Sequence, residues 1–180
     1  MTKDKIRLVA TSVLLLAGVP AADVSADVKA ISDPKDSRGK LDIIRAEARH
    51  MRNVQGFVKH VLTFEDRNGP AHGVIVGFRF RVPEKGLRRR TLFVKVNPDG
   101  GLYGEMHRPG VAIGYARVWK PNGSSIAIAF PTALLSRRIE AYKWTALTDY
   151  IDREAECADS DVIGNCIDRA PNKGWVTHRL

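Results

Sequence analysis

Beyond its first three dozen residues the chain alternates. Short runs with an apolar residue at every second position are separated by clusters of Gly, Pro, Asn and Asp. Period-two alternation turns one face of an extended chain to a core and the other to water, so each run predicts a half-buried β-strand. The clearest is 72–82, where Val74, Val76, Phe78, Phe80 and Val82 share one face and Ile75, Gly77, Arg79 and Arg81 the other. Strands are likewise expected over 58–64, 90–96, 102–107, 111–119, 124–130 and 139–149, the last with Tyr142, Trp144 and Ala146 on one side.

The breaks carry turn chemistry. Asn68-Gly69-Pro70, Pro83-Glu84-Lys85-Gly86 and Asn97-Pro98-Asp99-Gly100-Gly101 each interrupt the alternation. Lys120-Pro121-Asn122-Gly123 is the strongest hairpin signal, since Asn-Gly readily takes the left-handed backbone of a tight turn. Residues 131–135 read as a single helical turn. Residues 40–52 read two ways. Leu41, Ile43, Ile44, Ala46, Ala48 and Met51 make a helical face, yet parts of the run also alternate with period two. Read as helix, 40–62 would be a helix pair in an α+β fold.

Strand signals every 8–12 residues or so point to an all-β chain, an antiparallel β-sandwich of jelly-roll or immunoglobulin-like type. No repeat, low-complexity tract or composition shift divides it further.

The start of the chain breaks the pattern. Lys3, Lys5 and Arg7 precede an apolar run over 8–19; Pro20 ends it, and small residues fill 21–26. A membrane-spanning helix needs about 20 apolar residues, and this run is about a dozen. The layout is that of an N-terminal signal helix, a secretory signal peptide over 1–26 cut after Ala26, with Ala22 as the nearest alternative. A single domain over 27–180 would then be secreted or held in the cell envelope, without a transmembrane segment and expected as a monomer. The only two cysteines, Cys157 and Cys166, are expected as a disulfide closing the C-terminal tail, because export places them in an oxidising compartment. A thiol nucleophile or half a metal site fits less well, as no His lies at ligand spacing from either.

Charge sharpens the picture. Lys and Arg number 29 against 20 Asp and Glu, a net of +9. Six of the bases, Arg79, Arg81, Arg88, Arg89, Arg90 and Lys95, fall on one predicted strand, its turn and its partner. Like charges facing across strands are mildly destabilising, so the stripe suggests an anionic partner such as an acidic envelope polymer or a glycan. Export makes nucleic acid an unexpected ligand. The same charges also suit a solvated face that keeps sheet edges from pairing with other chains. Tyr115 and Trp119 share a face of one strand and make a possible ligand platform, Trp119 being the one expected at the surface.

An acidic group offsets this. Asp33, Asp36 and Asp42 fall in an irregular segment, and Asp168 in the tail could join them if the chain ends meet. Calcium takes several oxygen ligands from such backbone, so calcium is the one cofactor candidate. Lys35, Arg38 and Lys40 interleave and argue against it, and Asp is also a common turn former.

Catalytic signatures are missing. There is no HExxH, no G-x-S-x-G elbow, no P-loop and no G-x-G-x-x-G. A non-enzymatic binding or cell-envelope module is therefore expected. The alternative is a small exported hydrolase whose site assembles only in space, for example from His72, His107 and Glu105.

The Asp-rich segment running into Lys40-Leu41-Asp42-Ile43, the late Tyr142-Lys143-Trp144, and the Cys-x8-Cys tail ending Pro171-Asn172-Lys173-Gly174 together resemble a group of small exported bacterial β-sandwich proteins of unassigned function. More loosely, the chain is similar to family 9 carbohydrate-binding and DOMON-like modules. The resemblance implies a non-enzymatic sandwich, with calcium where Asp33, Asp36 and Asp42 meet Asp168.

Overall fold

The computed structural model describes residues 28–36, 41–51, 54–67, 75–83, 88–151 and 165–180. The expected leader over 1–26 and Cys157 lie outside them.

The described residues form eleven strands, all antiparallel, with no α-helix among them. They are β1 (Lys29–Ser32), β2 (Ile43–His50), β3 (Phe57–Phe64), β4 (Ile75–Val82), β5 (Arg88–Val96) and β6 (Leu102–Arg108). β7 (Val111–Asn122), β8 (Ser125–Pro131), β9 (Ala141–Ile151), β10 (Asn165–Ala170) and β11 (Val176–Arg179) follow, with one 3-10 turn at Thr132–Leu134. The ambiguous segment is thus a strand: Ile43, Ala46 and Ala48 are fully buried, and a bulge between Ile43 and Arg45 keeps both ends of the strand on the core face.

Lateral order is β1-β2-β3-β8-β7-β6-β5-β4-β9-β10, with β11 also on β9. β7 is the corner: residues 111–116 pair with β6 and residues 117–122 with β8. One barrel-like sheet results. Its ladders fall into two groups, β1-β2-β3-β8 and β6-β5-β4-β9-β10, which β7 joins by pairing with both. On the far edge, β9 carries β11 beside its first half and β10 beside its second.

The inside is filled mainly by alternate residues of the central strands. Val58, Leu62 and Phe64 from β3, Phe78 and Phe80 from β4, Ile126, Ile128 and Phe130 from β8, and Tyr142 and Trp144 from β9 are all 1 % exposed or less. At its centre the His60 ring lies 4.6–5.9 Å from those of Phe78, Phe80, Phe130, Tyr142 and Trp144. Burying such rings accounts for most of the fold's driving force, at roughly 25 cal/mol per Å² of apolar surface. Among the described residues the axis is a packed core.

Candidate functional site

Among the described residues, the two edges of the sheet meet without a shared ladder. Side chains join them instead. The Leu41 N–H donates to the Tyr150 hydroxyl (3.1 Å), and the Thr148 hydroxyl donates to the Leu41 carbonyl (3.2 Å). The Ile43 N–H donates to Asp168 Oδ2 at 2.5 Å. At the other end the His50 imidazole meets the Arg179 carbonyl at 3.0 Å. Between these ties, Lys29 and Ile31 of β1 face Trp175, Val176, Thr177 and Arg179 across an open groove of about 640 Å³.

At one end of this seam the structure gathers the acidic residues that the sequence singles out. One carboxylate oxygen each from Asp33, Asp36 and Asp168 lies within 4.8 Å of the other two. Asp42, fully buried, is close enough for its charge to act on Asp33 and Asp168. Asp33 follows the end of β1, and Asp168 faces inward from β10 because β10 alternates Cys166, Asp168 and Ala170 toward the core. Burial, then the charges of Asp168, Asp36 and Asp42, push the Asp33 carboxyl from 3.8 up to about 7. Burial also pushes Asp168 up to about 6, against the lowering pull of the Ile43 and Arg169 N–H groups. Lys35, which the sequence sets against a cation, is drawn off by Glu65 at 2.6 Å. Arg38 and Lys40 lie outside the described residues.

The predicted basic stripe is regrouped. Register sets Arg81 between Lys143 on β9 and Arg89 on β5, and all three alternate away from the core. Arg79 follows one rung along, between Thr145 and Thr91. None of these four cations forms an ion pair among the described residues. Arg90 is opposite Phe80, on the other side of the strand, and its Nε donates to the Leu134 carbonyl at 3.3 Å. Lys95 is held by Glu105 at 2.8 Å. The side chain of Arg88 lies outside the described part, although its backbone pairs with Val82.

Three members that the stripe lacked come from the chain's end. Trp175 stacks under the Arg81 guanidinium at 4.2 Å and lies 5.7 Å from that of Arg169. Thr177 of β11 is in register with Lys143, and Arg179 is two residues further along the same exposed face. A belt of cations thus runs from the groove, with Lys29 and Arg179, through Lys143 and Arg81 to Arg89. Trp175 could not be placed from sequence, because the loop after Pro171 shows no alternation and Arg81 lies about 90 residues away.

Tyr115 and Trp119 do share the outer face of β7, with Arg117 between them. Tyr115 is 73 % exposed, whereas Trp119 is half-buried, with Lys59 and Arg117 at 5.6 and 5.8 Å from its ring. His107 and Glu105 also come together, at 3.3 Å on the outer wall. The bond from Lys95, more than that from His107, holds the Glu105 carboxyl below its usual range, which weakens it as a base. His72 and Cys157 lie outside the described residues; Cys166 is fully buried on β10.

No family model, no curated protein and no solved structure matches this chain.

Proposed function

We propose that this protein is an exported, non-enzymatic binding module that holds an anionic polymer along the outer wall of β5, β4, β9 and β11. One observation carries the reading: Arg89, Arg81 and Lys143 stand side by side across three strands without a carboxylate partner among the described residues. Cross-strand like charges destabilise a sheet, and a repeating anion offsets that repulsion. Trp175 adds a flat apolar surface within the belt, suited to a sugar ring or another planar group. Envelope glycans that carry phosphate, sulfate or carboxylate combine both features.

The proposal includes the leader over 1–26, the Cys157–Cys166 disulfide, a monomeric state and a place in the cell envelope. The likeness to family 9 carbohydrate-binding and DOMON-like modules belongs to the same reading.

Retention on immobilised heparin, with neutral dextran as control, tests it. The triple variant R81E, R89E and K143E is expected to lose retention at salt concentrations where the parent binds, with a shallower dependence of log K on log salt. The triple variant R108E, R137E and R138E makes the same charge change elsewhere and should retain most of the binding. Equal losses in both triples, or none in the first, overturn the reading.

A further inference from the structure

We infer that Asp33, Asp36 and Asp168 bind a calcium ion that fastens the seam between the chain's opening segment and β10. The donor set is oxygen only, which selects hard cations over zinc or copper. Oxygens on one calcium ion sit about 2.3–2.6 Å from it, hence at most about 5 Å apart. The three ligand oxygens, all within 4.8 Å of one another, meet that requirement.

A second observation is independent of the cluster's sign. Asp33 is only 9 % exposed, and its Oδ2 is sealed from water without any hydrogen-bond partner. A buried carboxylate oxygen ordinarily has a donor, and leaving it bare is costly. Its carboxylate is turned to Asp36 and Asp168 rather than to a cation of the protein, and none of the three makes an ion pair among the described residues. The other two are already oriented. Asp168 receives the N–H groups of Ile43 (2.5 Å) and Arg169 (2.6 Å) on its two oxygens, and Asp36 accepts the Asn172 side-chain amide. Each oxygen accepts more than one bond, so these donors hold the ligands as outer partners hold metal sites elsewhere. Asp42 adds a buried negative charge behind the site.

Ligands therefore come from both edges of the sheet, and the ion would join them where no backbone ladder does. It lies at the opposite end of the seam from the His50–Arg179 tie.

The test is thermal unfolding and calorimetric titration of the purified protein, stripped with chelator, against calcium chloride and, in parallel, magnesium chloride. A Kd of about 10⁻⁴–10⁻³ M is expected for such a partly open carboxylate site. At about ten times Kd, calcium should raise Tm by about 3–6 °C. D33N and D36N should each abolish that rise. D33N should also match or exceed the parent's Tm without calcium, which separates lost binding from a failure to fold. D36N sits on an exposed residue and stays informative if D33N misfolds. No heat and no Tm rise at about 10 mM calcium would overturn the inference. So would a calcium response that survives both substitutions, or an equal response to magnesium.

Discussion

His60 and Asp33 are titratable groups that folding places where their charged forms are disfavoured, and they act on stability with opposite signs. His60 is fully buried; burial, then the nearby His178, holds its imidazole well below 6.5. Its Nε2 meets the Tyr142 hydroxyl at 2.8 Å, so the neutral ring is the one the core accepts. The unfolded chain takes up a proton at His60 below about pH 6.5 and the folded chain does not, so this contribution falls as pH drops through that value. Asp33 and Asp168, raised to about 7 and 6, behave the other way. Above about pH 4 the unfolded carboxyls ionise first, so stability contributed here declines as pH rises toward 7. The charges facing Asp33 are those of Asp36, Asp42 and Asp168, all acidic. In chelator, Tm is therefore expected to fall between pH 5 and 8, and D33N to flatten that fall; a Tm rising steadily over this range in the parent contradicts the assignment. The His60 imidazole, followed by NMR, should titrate well below 6.5. The part played by His60 was not legible beforehand, since it reads only as one inward position of an ordinary strand.

Strands with clean alternation were legible at the level of the element. β3 through β9 fall within a few residues of their expected bounds, because each buries one face and ends in strong turn residues. The Asn97–Gly101 turn forms as expected: the Asn97 N–H donates to the Gly101 carbonyl, and Gly100 takes φ of 82°. The Asn122-Gly123 hairpin also forms, for a different reason. Gly123 is not in the left-handed region; a side chain there would come within 2.3 Å of the Arg67 carbonyl. Three strands were missed. β1 has only four residues and pairs with β2, while β10 and β11 read as tail although both pair with β9. A glycine inside the best predicted strand makes a further element-level test. A Cβ on Gly77 would meet the Leu92 carbonyl at 2.1 Å, backbone against backbone, so β4 and β5 must part to admit it. Gly77→Ala is expected to cost about 1–3 kcal/mol in chemical denaturation. A neutral result would mean that the ladder yields more easily than this contact allows.

Across the whole molecule the decisive feature is how the sheet ends meet. A sheet edge with unpaired groups invites other chains, and here the edges are tied by side chains on Tyr150, Thr148, Asp168 and His50. Removing two ties with T148V and Y150F should cost about 2 kcal/mol in total. It should also speed hydrogen exchange at the Leu41 amide, while strand centres such as Leu62 on β3 stay protected. Unchanged exchange at Leu41 would show that the seam is held by something else. The sequence by itself determined the all-β, antiparallel character, most strand positions, the basic excess and the four aspartates worth watching. Those follow from residue type and spacing within a few positions, which periodicity reports directly. Only the tertiary structure decided that one sheet curls around and shares β7, and that Trp175 joins the cationic wall. It also decided which bases stand together and that Asp168 meets Asp33 and Asp36. Each of these depends on contacts between segments tens of residues or more apart, set by register and closure, and no local pattern encodes them.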